Sequence, residues 1–168
     1  MVESGFLGIG SNVGEREAAV LRALRILDTA EGLSVVNYSA LYETEPEGGS
    51  NQPYFINGVA EVKSLLYPRD LLLRIKMVEV EMGRRGVHNS PREIDIDLIS
   101  LGNTILSDSE LTIPHPRYRE RPFVLIPLRE ISPAFVCPEK GIAIDELINS
   151  MPSGGSIVEV SSRSLVFK

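Results

Sequence analysis

The chain has 168 residues, 43% of them hydrophobic and 24% charged, with a net charge of −6 at neutral pH. That length suits one domain burying about 70% of the surface its unfolded chain would expose, so neither disulfides nor a structural metal is required. The acidic balance excludes a broad nucleic-acid or anionic-membrane surface, and a single cysteine, Cys137, excludes an internal disulfide and a Cys-rich zinc site.

In chain order, Phe6–Ile9 is a short apolar run ending in Gly-Ser-Asn, which predicts a strand running into a turn. Glu15 to Ala30 carries Val20, Leu21, Leu24 and Leu27 at helical spacing. From Leu33 to Glu43 the chain is β-rich, with Val36, Tyr38, Ala40 and Tyr42 alternating. A loop by composition spans 45–51, and Phe55–Lys63 predicts a third strand. A second helix is expected from Pro68, suited to a first-turn position, to Gly83 at C′, with Leu72, Ile75, Val78 and Met82 as its buried stripe. Glu93–Leu101 predicts a fourth strand.

This β-α-β-β-α-β order predicts an α+β fold: a ferredoxin-like split β-α-β sandwich with an antiparallel sheet and both helices on one face. The other face would be free or covered by later segments. From Leu111 onward, prolines at 114, 116, 122, 127, 133 and 138 divide the chain into short pieces, so a Pro-rich C-terminal extension is expected. Within it, Asp145–Asn149 is expected to make one helical turn. Residues 151–168 read as an appendage with a terminal strand at Ile157–Val160. Residues 1–168 are expected to form one domain with one catalytic function, its motifs lying between about 6 and 150. Cys137 reads as a small apolar filler. With no basic or long apolar N-terminal stretch, a cytoplasmic location is expected.

Thirteen of the 17 basic residues are arginine, and six of those lie between Arg84 and Arg121 with no lysine among them. Arginine forks bind phosphate oxygens in pairs, so a basic pocket on an acidic protein points to a small polyanion such as a nucleotide. In a strand, Asp95 and Asp97 of Pro91-Arg92-Glu93-Ile94-Asp95-Ile96-Asp97-Leu98 point to one face, roughly 7 Å apart. Two carboxylates so placed suit magnesium, a hard cation usually held by one or two carboxylates plus substrate phosphates. A lone Asp-x-Asp is more often a solvated strand face; Arg92, at the rim of the same face, adds a phosphate clamp. The segment Leu111 to Phe123 then supplies His115, Arg117, Arg119 and Arg121 on a proline-stiffened loop. Preorganised cations of this kind suit phosphoryl transfer. Phe55 and Asn57 share a strand face, where a ring can stack on a flat heterocycle while an amide reads its edge.

Taken together these residues resemble the 6-hydroxymethyl-7,8-dihydropterin pyrophosphokinases of folate biosynthesis. The matching pieces are Gly8 to Asn12, Tyr42 to Pro46, Gln52 to Asn57, Glu79 to Arg84, Pro91 to Asp97 and Leu111 to Leu128, in the family's order and spacing. The resemblance implies that Asp95 and Asp97 hold two magnesium ions bridging the phosphates of ATP, the co-substrate. It implies that Arg92, Arg121, His115 and Arg84 hold those phosphates, with Thr112 and Glu79 lining the nucleotide site. The pterin would lie between Phe55 and Phe123, near Asp95, its edge read by Asn57 and by backbone at Thr44, Glu45, Pro46 and Glu47. The hydroxymethyl oxygen would attack the β-phosphorus and AMP would leave. Ser90 and Asn89 stand where the family usually has Gly or Ala and often Trp, and Glu47 stands where an apolar residue is common.

Rival readings are weaker. Gly8-x-Gly10 with Gly14 misses a dinucleotide fingerprint by one place, no P-loop sequence exists, and Gly8 and Gly10 are expected to permit a tight strand-to-helix turn. A non-catalytic ferredoxin-like ligand sensor needs no paired strand carboxylates. A two-metal nuclease conflicts with the acidic charge. The expected partners are small molecules alone, with no nucleic acid and no membrane, and the expected state is a monomer.

Overall fold

Strand β1 (Glu3–Ser11) is an inner strand, and its alternation decides the architecture: Leu7 and Ile9 face one side of the sheet, Phe6, Gly8 and Gly10 the other. The computed structural model describes residues 1–47, 51–83, 93–151, 157–161, 165 and 167. A turn at Gly14, with φ of +69°, leads into helix α1 (Arg16–Thr29), which buries Val20, Ala23, Leu24 and Leu27. Strands β2 (Leu33–Tyr38), β3 (Leu41–Thr44) and β4 (Phe55–Ser64) follow, then helix α2 (Pro68–Glu81) and strand β5 (Asp95–Leu101). Pro68 sits in the first turn of α2, and Gly83 beyond its end has φ of +90°, as a C′ glycine requires. The buried stripe of α2 begins at Leu71 rather than Leu72, which packs at the margin of the core.

The expected order holds, and all the pairings are antiparallel, with strand order β5-β1-β4-β3-β8 and β2 also on β4. The expected second strand divides in two. A register shift between Val35 and Asn37 leaves Val36 exposed and turns Val35 and Tyr38 inward, so the simple alternation from Val36 to Tyr42 fails. A bulged residue reverses the phase of every side chain beyond it. At the break, Ser39 Oγ accepts from Val59 N–H at 3.0 Å, and Ala40 N–H donates to the Glu130 carboxylate.

Helices α1 and α2 cover the face bearing Leu7, Ile9, Ile56, Val62 and Ile96. The opposite face is covered by a helix that the proline pattern concealed. Helix α3 (Pro122–Ile131) has Pro122 in its first turn and Pro127 inside it. An interior proline costs about 3 kcal/mol. Val124, Leu125 and Leu128, packed on Phe6, Val59 and Ile99, each return about 1.5–3 kcal/mol on burial. Burial outweighs the breaker, so the segment expected to lie in short pieces is a helix. Helix α4 (Ile144–Asn149) and the filler Cys137 complete this second core.

A small hairpin, β6 (Leu106–Ser107) with β7 (Thr112–Ile113), returns the chain from β5, after which His115 N–H bonds Ile99 O at 2.8 Å. Strand β8 (Ile157–Ser161) adds to the edge at β3, and Leu165 N–H donates to the Tyr38 hydroxyl at 2.6 Å. The described part of the tail is therefore tied to the sheet instead of trailing from it. No helix among the described residues is long and apolar enough to cross a membrane.

Candidate active site

The face covered by α3 is apolar at one end only. Beyond Phe6, Val59 and Ile99 the same face continues as Gly8 and Gly10 on β1, Asn57 and Phe55 on β4, and Asp97 and Asp95 on β5. The register aligns Asp95, Gly10 and Asn57 in one row across three strands, and Asp97, Gly8 and Val59 in the next. Because the middle strand carries no side chains there, the carboxylates and the amide face one another across a trough. A Cβ at Gly10 would lie 2.4 Å from Asn57 Oδ1. Gly8 and Gly10 are thus the floor of a site inside a strand, not the strand-to-helix turn expected of them; Gly14 makes that turn.

The trough opens into a cleft of about 460 Å³. Phe55, Asn57, Phe123, Asp95, Asp97, His115, Arg121 and Thr44 to Glu47 all line it, so most of the expected residues converge. Asn57 Nδ2 donates to Thr44 Oγ1 at 2.7 Å, and both are buried, which fixes the amide. Around the rim, Asn12 Nδ2 donates to Gln52 Oε1 at 3.1 Å, and Arg16 binds Tyr54 O and Glu43, pinning the segments on either side of the 45–51 loop.

Two expected residues do not line the cleft. Thr112 pairs with Ser107 in the small hairpin. Glu79 is buried, accepting Ile96 N–H at 2.9 Å and pairing with Lys76 Nζ at 2.9 Å. That bond satisfies the edge of β5 between the two aspartates and so positions both carboxylates. Arg84 and Arg92 lie outside the described residues. Lys76 and Gln52 line the cleft and had not been singled out for it; Arg117, one of the cations of the Leu111–Phe123 loop, lines it too. Lys76 stands three residues before Glu79, one turn along the same helix, which is the signal that could have found it. Arg119, between Arg117 and Arg121, turns away to pair with Glu139 at 2.9 Å.

Arg121 is the hub. Its Nη1 donates to Asp97 Oδ2 at 3.0 Å, its Nη2 and Nε reach Glu47, and its guanidinium lies 5.5 Å from the Phe123 ring centroid. Its side chain is only 12% exposed, so the position of the fork is set before any ligand arrives. His115 Nε2 stands 3.9 Å from Asp97 Oδ2. Burial holds the imidazole below its ordinary pKa; the charge of Asp97 opposes this, while Arg121 and Arg117 reinforce it. Nδ1 accepts Arg117 N–H at 3.1 Å, and Nε2 lies 3.5 Å from Arg121 Nη1.

Asp95 and Asp97, both half-buried, offer hard oxygen donors from one strand face, a set that fits magnesium. Among the described residues no three or more His, Cys, Asp or Glu side chains gather as a complete metal cage. A cation here would draw its remaining oxygens from water and from a phosphorylated ligand. The cleft therefore has an anion-binding side of arginine and histidine and a flat-ligand side of Phe55, Asn57 and Phe123, with the two carboxylates between.

Comparison with known proteins gives one family. Residues 6–133 match the model for 7,8-dihydro-6-hydroxymethylpterin-pyrophosphokinase. The chain is similar to the 2-amino-4-hydroxy-6-hydroxymethyldihydropteridine pyrophosphokinase of Aquifex aeolicus, 40% identical over 79% of this chain and 82% of that one. The protein of that name from Methylorubrum extorquens is 37% identical over 92% of this chain and 98% of its own. Similarity extends to the folic acid synthesis protein fol1 of Schizosaccharomyces pombe, 38% identical over 89% of this chain, of which the chain spans only 21%. In fold it resembles Plasmodium falciparum HPPK-DHPS crystallised with pteroate, with a TM-score of 0.71 at 17% identity, covering 89% of this chain and 42% of that one.

Proposed function

The chain belongs to the 7,8-dihydro-6-hydroxymethylpterin-pyrophosphokinase family, and we propose that it transfers a pyrophosphoryl group from ATP to 6-hydroxymethyl-7,8-dihydropterin, releasing AMP, in folate synthesis. The single observation that carries this reading is the shared cleft: Arg121 bonded to Asp97 on one side, and Asn57 held by Thr44 between Phe55 and Phe123 on the other.

Phe55 and Phe123 sandwich the pterin, Asn57 reads its edge, and backbone from Thr44 to Glu47 completes the rim. Arg121 and His115 bind the phosphates, with Arg92 and Arg84 assigned to the same task by their places in the sequence. Asp95 and Asp97 would hold two magnesium ions, which would neutralise charge on the phosphates. Arg121 adds fixed positive charge where the equatorial oxygens gather charge in the transition state. The hydroxymethyl oxygen bonds to the β-phosphorus, the bond from that phosphorus to the α–β bridging oxygen breaks, and AMP leaves with the bridging oxygen. The hydroxyl proton passes to solvent. The protein works as one cytoplasmic domain and as a monomer.

Incubation with ATP, magnesium and the pterin alcohol tests the reading. AMP should appear in step with pterin diphosphate and only when the pterin is present. AMP formation indifferent to the pterin would defeat the assignment, and so would nucleolytic release from an oligonucleotide.

Gly10→Ala tests the pterin side alone. The new methyl group displaces the Asn57 amide from its bond to Thr44, at a cost of about 1–3 kcal/mol for buried polar groups left unpaired. Pterin affinity should fall by about one to two decades while the affinity for a non-hydrolysable ATP analogue stays near wild type, as isothermal titration of each ligand will read. Equal losses for both would mean that β1 has been distorted as a whole.

A further inference from the structure

Glu47 carries more than backbone contacts. Its carboxylate takes both ends of the Arg121 fork, Oε2 from Nη2 at 3.1 Å and Oε1 from Nε at 3.3 Å. Oε1 also accepts Arg117 Nη2 at 3.1 Å. A carboxylate gripped by a guanidinium through two parallel bonds has the geometry by which the same fork grips two oxygens of a phosphate. With Asp97 holding Nη1 at 3.0 Å, each of the three nitrogens of Arg121 already donates to a carboxylate of the protein itself. The side chains of Arg121 and Glu47 are 12% and 37% exposed, so the arginine is rigidly seated and the glutamate, at the mouth, is the partner free to leave.

We propose that the Glu47 side chain is an internal anion that occupies the phosphate-binding ends of Arg121 and Arg117, so that a nucleotide polyphosphate binds by displacing it. The inference rests on the reading that Arg121 clamps phosphates. Its consequence is that Glu47 lowers the affinity for every phosphorylated ligand. The penalty is the same free energy for each ligand that displaces it, so ATP and AMP are weakened by a similar factor.

The test is calorimetric titration of the full chain, in magnesium, with a non-hydrolysable ATP analogue, AMP and adenosine, using wild type, Glu47→Gln, Glu120→Gln and Arg121→Ala. Glu120 lies outside the cleft with its carboxylate 3.9 Å from Arg117 Nε, so its variant removes a nearby charge without vacating the fork. Glu47→Gln should tighten the ATP analogue by about two- to fivefold, the range for releasing a partly exposed ion pair. It should tighten AMP by a similar factor and leave adenosine unchanged, while Glu120→Gln behaves as wild type. Unchanged analogue affinity in Glu47→Gln overturns the proposal, as does an equal gain in Glu120→Gln, which would mark long-range charge as the cause. Arg121→Ala separates the two readings: if it does not weaken the analogue, the phosphate clamp itself is misassigned. If it does weaken it while Glu47→Gln changes nothing, only the competitor fails.

Discussion

Arg121→Ala should lower kcat by about three decades, the lower end of the range for an arginine that stabilises phosphoryl-transfer charge. Arg121 is the one described cation that touches an aspartate of the β5 pair, a carboxylate on the opposite rim and an aromatic wall together. Its removal loses positive charge and also the brace that orients Asp97. The fold should persist, since the second core is built from Val124, Leu125 and Leu128, which do not include it. Arg121→Lys distinguishes charge from geometry. A lysine is a point charge and cannot hold Asp97 and a phosphate through a planar fork, so it should recover only a small part of the loss. Wild-type kcat in the lysine variant would show that charge alone suffices and that the fork is incidental. Steady-state kinetics, with thermal melts to confirm folding, decide the matter.

Asp97→Asn should reduce kcat by roughly two to three decades, the loss typical of removing one transition-state charge stabiliser. The substitution keeps the size of the side chain and leaves an oxygen for Arg121 to donate to. Melting behaviour should therefore stay close to wild type while the negative charge is gone. A weakened hold on magnesium should appear as a metal requirement shifted to higher concentration. Near-normal turnover at ordinary magnesium would remove Asp97 from the metal site. It would leave Asp97 only as a brace for Arg121.

The paired aspartates were legible early because the strand period of two is local: Ile94, Ile96 and Leu98 bury, so Asp95 and Asp97 must face the other way. The same rule placed Phe55 with Asn57. Elsewhere local rules competed with packing and lost. Prolines 122 and 127 argued for broken chain, yet the second sheet face needed a cover and α3 supplied it. The alternation from Val36 to Tyr42 was interrupted because a bulge between strands is fixed by pairing with β4, not by the residues of β2 themselves.

What the amino-acid order determined by itself was periodic or ordered along the chain: the β-α-β-β-α-β succession, the aspartate pair, the family to which the motifs belong. What only the tertiary structure decided depends on register between strands and on which long side chains meet. Gly8 and Gly10 became a floor because β1 lies between the strands bearing Asp97, Asp95 and Asn57. Glu79 turned to the edge of β5 while Lys76 took the place in the cleft. Glu47 closed on Arg117 and Arg121 across some 70 residues of sequence, a separation over which no local pattern carries information.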